Sequence, residues 1–232
     1  MKRLIKQLSP SRLAEFNANK RAIKQFAASL HLVYFGAVSQ HSGDYQVIRG
    51  LTMSPHHKDK HYTVGTYQNY DLSLVHRTDT IHMPNKPKRT HTWLIMQFDL
   101  HNARDIPYFF VGLHAHSDTF YSNLFTKFSA LRHHIFGAVH QLDASFAARY
   151  NVYTVPTHGI SIEQLFDEET TRLISKHFGT LTFEVSDQTL YIYAEHRRIT
   201  KKLLEIVLQN GLWLAQHIDE RATTQSSLTE PE

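Results

Sequence analysis

Two strand-like segments, residues 71–83 and 90–100, flank the sequence PNKPKR at 84–89. Pro84 and Pro87 have no backbone N–H to give to a strand ladder, so pairing must stop there and the chain must turn back. A long antiparallel hairpin is therefore the first element this sequence dictates. Within its second arm Trp93, Leu94, Ile95 and Met96 follow one another without polar alternation. Such a run predicts a central strand covered on both faces.

The neighbouring text extends this into a sheet. Residues 31–38 and 45–52 are apolar and β-branched around a Gly-Asp turn, SPHHKDK (54–60) reads as a loop, and 62–67 leads into 71–83 through Gln68-Asn69-Tyr70. Asn69 is suited to a turn because its short polar side chain tolerates a left-handed backbone. Residues 108–114 predict another buried strand, and the period then changes. Phe120, Leu124, Phe125, Phe128 and Leu131 suggest helical turns, and 143–150 a further turn before a strand at 151–155. Two short helices are expected at 162–166 and 168–178, the second ended by Gly179, a good left-handed cap. A hairpin at 180–185 and 189–194 turns at Ser186-Asp187-Gln188. Thr200 can cap a final helix that puts Leu204, Val207, Leu208, Leu214, Ala215 and Ile218 on one face. Gly211 lies inside that helix, at a cost of about 1 kcal/mol relative to alanine. The expected class is α+β: a mixed, mainly antiparallel sheet with a packed C-terminal helix and a basic N-terminal helix.

Charge divides the chain. Residues 1–30 carry Lys2, Arg3, Lys6, Arg12, Lys20, Arg21 and Lys24 against Glu15 alone, whereas the net charge of all 232 residues is only +4. The organisation expected is a basic helical arm at 1–30, a single α+β domain at 31–219 and a polar, disordered tail at 220–232. The arm's seven cations are candidates for contact with an anionic membrane surface. No apolar run approaches the ~20 residues that cross a bilayer. With no cysteine, disulfides and thiolate metal sites are excluded. A cytoplasmic protein, peripheral to the membrane, is the expectation.

VGTYQNYDLSLVHRTDT (64–80), RTHTWLIMQFDL (89–100), IPYFFVG (106–112), LDASFAARYNVYT (142–154), LYIYAE (190–195) and LWLAQHID (212–219) form a pattern of aromatics, glycine and threonine. It resembles a β-rich bacterial domain of unknown function, found in hypothetical proteins of ultrasmall, host-dependent bacteria. There the domain often stands beside transmembrane helices, which this sequence lacks. The resemblance covers about residues 60–219 and implies a fold; it implies no catalytic residue.

Chemistry has one candidate centre. On an extended backbone His114, His116 and Asp118 point to one side, so two imidazoles and a carboxylate can converge on a divalent metal, as in metal-dependent hydrolases. A fourth ligand is missing, since Thr119 follows Asp118. Symmetric pairing about PNKPKR sets His82 opposite His91 and Thr80 opposite Trp93. Pairing 90–100 with 108–116 then puts His91 and His116 on opposite faces, which separates the four histidines unless a one-residue slip or bulge near Pro107 reverses the register. The 18 histidines are otherwise scattered. There is no G-x-S-x-G elbow and no glycine-rich phosphate loop. Glu163, Asp167, Glu168 and Glu169 lie around helix starts, where the dipole favours them without catalytic duty. Basic tips at Lys86, Lys88, Arg89 and at 196–198 have no nucleic-acid signature beside them, so nucleic acid is not the expected partner. The reading that follows is a non-enzymatic binding or scaffold module without a cofactor, with an unidentified protein partner. A metal-dependent hydrolase with a His-x-His-x-Asp site is the alternative.

Overall fold

In the computed structural model, residues 10–36, 57–81, 89–101, 106–116, 131–196 and 198–229 are described. The predicted central hairpin forms with a different register. Strands β3 (Tyr70–Ile81) and β4 (Arg89–Asp99) are antiparallel, with Asp79 opposite His91 and Thr80 opposite Thr90. Pairing is thus centred on Asn85, and Asp79, three residues before His82, takes the place expected for His82. A slip by an odd number of positions exchanges the faces of one arm relative to the other. His82 lies outside the described residues.

Strands β1 (Val33–Gly36) and β2 (Lys58–Tyr67) extend one side. Strand β2 begins inside the segment expected to be a loop. It joins β3 through Gln68 and Asn69, both at positive φ (49° and 68°), as a two-residue hairpin turn requires. Asp187 and Gln188 repeat this conformation (49° and 61°) between β8 (Thr182–Ser186) and β9 (Thr189–Glu195). The other described strands are β5 (Phe109–Leu113), β6 (Arg132–His133) and β7 (Tyr150–Thr154). Their order across the sheet is β1-β2-β3-β4-β9-β8-β5-β7-β6, and every described pairing is antiparallel. The sequence-adjacent pairing of 90–100 with 108–116 does not occur. The β8–β9 hairpin is inserted between β4 and β5.

The helices are α1 (Pro10–Ser29), α2 (Ala144–Arg149), α3 (Gly159–Leu165), α4 (Glu168–His177) and α5 (Lys201–Thr229). Asp143 caps α2 through the N–H groups of Ser145 and Phe146, and the Thr200 hydroxyl accepts from Leu203 N–H at the start of α5. Each described helix buries a side chain in the larger core: Ile23, Phe146, Ile162, Ile174 and Leu204 join Leu74, Leu94, Met96, Phe98, Val111 and Ile192 from the strands. The opposite sheet face forms a second core of Val75, Trp93, Ile95, Phe110, Leu131, Tyr153, Tyr191 and Tyr193. Strand β4 is therefore covered on both faces, as its unbroken apolar run predicts. This is the expected α+β architecture.

Helices lie towards both ends of the chain. Helix α1 is packed into the body, with Ile23, Phe26 and Ala27 buried. The buried Asn19 side chain accepts the Ile199 N–H at 2.9 Å, 180 residues away in sequence. Helix α5 continues to Thr229, across most of the segment whose polar composition suggested disorder.

Gly211 has a packing role that its helix propensity conceals. A Cβ there would lie 2.2 Å from Phe98 Cε2 and 3.2 Å from Ile192 Cγ1. Phe98 is fully buried in a close-packed core. Gly211→Ala is therefore expected to destabilise the protein by about 1–3 kcal/mol through overpacking, despite its better helix propensity. Urea denaturation reads this directly; a more stable variant would mean that the Phe98 ring yields freely.

Candidate functional site

The His-x-His-x-Asp run does not stay extended. Strand β5 ends at Leu113 and a turn follows, marked by the His116 N–H bonding back to Leu113 O at 3.3 Å. The two imidazoles consequently meet different elements. His114 Nε2 hydrogen-bonds Asn151 Oδ1 on β7, and His116 Nε2 lies 3.5 Å from Glu195 Oε2 at the end of β9. Asp118 lies outside the described residues. Glu195 is also bonded by His91 Nδ1 at 2.5 Å, so His91 and His116 meet at one carboxylate. The inserted β9 brings together two side chains that simple hairpin pairing would separate. Burial lowers the His116 pKa against the opposing pull of Glu195. Burial alone would raise the pKa of Glu195, but the His91 hydrogen bond and the charges of His91, His116 and His196 hold it below the usual glutamate value. Among the described residues, no group of three or more histidine or carboxylate side chains is arranged to hold a metal ion.

Glu163 has a different task from the one its helix position suggests. It is buried and accepts N–H bonds from Val139 (2.6 Å), Gly137 and His140 (both 3.3 Å), with His134 Nε2 at 3.1 Å. Burial raises its pKa, but these donors together hold it below the ordinary value. It anchors the 134–140 segment.

A second histidine pair was not foreseen. His61, at a bulge of β2 with φ 60°, and His76 on β3 are 2% and 8% exposed and stack with ring centroids 6.1 Å apart. The Tyr34 hydroxyl is 2.7 Å from His61 Nδ1, and Phe16 of α1 covers the His61 ring. Neither Nε2 atom has a hydrogen-bond partner among the described residues. Burial, reinforced by Lys60 and Lys20, lowers the His61 pKa to about 4. Burial first, then His61 and Lys60, brings His76 to about 4, against a backbone hydrogen bond to His196. The pair is a neutral wedge under α1.

The basic helix contributes a third place. Lys20, Arg21 and Lys24 are exposed on α1, and Lys24 Nζ sits 5.2 Å from the centre of the Tyr34 ring. Lys2, Arg3 and Lys6 lie outside the described residues; Arg12 belongs to α1. Between α1, α5 and the β2–β3 turn is a groove of about 610 Å³. Its buried and half-buried lining, the floor, is Ala22, Phe26 and Leu30 with Tyr67, Leu208 and Leu212; its exposed lining, the rim, includes Gln25, Ser29, Gln68, Gln209 and Gln216. Residues 22, 25, 26, 29 and 30 share one helix face by their i, i+3, i+4, i+7, i+8 spacing. Positions 205, 208, 209, 212 and 216 do the same on α5. That mixed leucine–glutamine stripe was visible in the sequence, but an apolar count along α5 passes over it.

No protein-family model and no curated protein matches this chain, so the resemblance of residues 60–219 rests on their motifs. Among solved structures, the crystal structure of the mycobacterial trehalose monomycolate transport factor A, TtfA, has a similar fold. Its TM-score is 0.51 at 8% sequence identity, covering 88% of this chain and 94% of that one. At that identity the likeness concerns the fold alone. Among the described residues, no helix is long and apolar enough to cross a membrane.

Proposed function

We propose that this protein is a non-enzymatic binding module whose ligand seat is the α1–α5 groove, working at the cytoplasmic surface of a membrane. The groove carries the proposal: it is concave, of ligand size, apolar at its floor and polar at its rim, the usual make-up of a small-molecule site. A protein of similar fold is named as a trehalose monomycolate transport factor. Exposed Lys20, Arg21 and Lys24 on the helix that walls the groove supply attraction to anionic headgroups, which falls with salt.

An uncharged apolar fluorophore, N-phenyl-1-naphthylamine, tests the seat. One saturable site is expected in the parent protein. In Ala22→Trp the indole fills the groove, and binding should weaken at least about tenfold with the melting temperature little changed. Unaltered binding in a folded Ala22→Trp variant would place the site elsewhere. Sedimentation with anionic vesicles should fall on raising salt from 50 to 500 mM (roughly a threefold shorter screening length); salt-independent or absent sedimentation would remove the membrane part.

A further inference from the structure

We infer that the groove takes an uncharged amphiphile, a single apolar chain carrying a hydroxyl-rich head. This deepens the preceding reading and rests on its placement of the ligand seat. The buried and half-buried part of the described lining is alanine, leucine, phenylalanine and the Tyr67 ring, which suits an alkyl or acyl chain and rewards its removal from water. The rim decides the head. Gln25, Gln68, Gln209 and Gln216 each present a carbonyl oxygen and an NH₂ group, and Ser29 adds a hydroxyl. A hydroxyl on a ligand is likewise both donor and acceptor, so this rim satisfies it in either sense.

A charged head finds no comparable match. Among the described residues of the lining the charged ones are Lys201 and Glu205, paired with each other at 3.5 Å, one helical turn apart. An anion would approach Lys201 only in the company of Glu205, and a cation would meet the reverse. The described lining therefore carries no net charge. A neutral, hydrogen-bonding head is the complement of a neutral, hydrogen-bonding rim. On both helices the leucine or phenylalanine members of the lining are buried or half-buried and the glutamines exposed, so the apolar chain goes inward and the head outward.

The test uses four octyl compounds below their micelle concentrations, competing with N-phenyl-1-naphthylamine on the full chain: the glucoside, the phosphate, the trimethylammonium salt and the plain alcohol. Free glucose is a fifth arm, separating a lipid-like ligand from a sugar. The glucoside is expected to bind about tenfold more tightly than the phosphate or the ammonium salt, the effect of one or two net hydrogen bonds. It should also exceed octanol, and glucose alone should not compete. In the double variant Gln25→Leu/Gln209→Leu the glucoside's advantage over octanol should shrink to about twofold or less while octanol still binds. If the phosphate or ammonium compound competes as well as the glucoside, the inference falls and the seat survives. Effective competition by glucose alone overturns the amphiphile requirement. Failure of every octyl compound to displace the probe overturns the inference and the seat together.

Discussion

Arg77→Met is expected to destabilise the protein by about 3–5 kcal/mol, the usual cost of breaking a buried ion pair from one side. Arg77 is fully buried on the sheet face opposite the helices, and its register partner across the β2–β3 ladder is Asp59. The guanidinium forks onto the carboxylate, with Nε–Oδ1 at 2.7 Å and Nη2–Oδ2 at 2.6 Å. A planar fork of this kind gives two parallel charge-assisted bonds that lysine cannot reproduce. Asp79, two residues along β3, is also fully buried on that face, so loss of the cation leaves two carboxylates in a protected layer. Substituting both partners is less harmful, because the Asp59 charge is removed with its counter-ion. Arg77→Met/Asp59→Leu should therefore recover part of the loss, the buried Asp79 keeping the rest. Urea midpoints at constant m-value measure both variants. A single-variant cost below about 1 kcal/mol would place the pair with ordinary exposed ion pairs.

This pair also marks where sequence reading stops. The hairpin turns, the Thr200 cap and the two-faced burial of β4 follow from residues within a few positions of one another, so local chemistry dictates them. The apolar face assigned to α5 is likewise local: Leu204, Val207, Leu208, Leu214, Ala215 and Ile218 are all buried. Strand order is not local. Placing β9 beside β4 sets Trp93 opposite Glu195, about a hundred residues later, and no periodicity in either segment encodes that choice. The meeting of His91 and His116 at Glu195 depends on it. Register failed for a related reason: two prolines specify that the chain turns but not how many residues the turn consumes, and an odd error exchanges faces. Gly211 was read by its backbone cost, whereas the Phe98 ring beneath it comes from a strand more than a hundred residues earlier. The groove was hidden because glutamine between leucines reads as an ordinary solvent boundary until a second helix with the same pattern lies beside it.

Lowering the pH from 7.5 to 4.5 is expected to weaken the protein steeply, chiefly through His61 and His76. Their pKa values are lowered from 6.5 to about 4 in the folded chain, so in this window the unfolded state binds more protons than the folded one. Stability is then fully present above about pH 6.5 and is lost as pH falls towards 4, at a limit of about 1.4 kcal/mol per pH unit for each group. The geometry gives the same sign. Both rings are buried and stacked, and Lys60 and Lys20 oppose any added positive charge. Proton uptake must either separate the rings or expose them, and Phe16 of α1 lies directly against His61. Acid should therefore loosen α1 before the sheet, visible as faster amide exchange in residues 14–29 than in β3 and β4 at pH 5. Glu163, Glu195 and Asp167 are also held below their ordinary values, but those carboxylates surrender stability at lower pH, so the two classes separate on the pH axis. His61→Asn retains a residue that tolerates positive φ and removes one titrating group; His76→Leu removes the other. The double variant is expected to be less stable at pH 7.5 yet to decline less steeply between pH 6.5 and 5, the slope that remains coming from His116 and His217, whose pKa values burial also lowers. An equally steep decline in that variant would assign the acid sensitivity to other histidines, and identical exchange in α1 and the sheet would show that the wedge does not act on the helix.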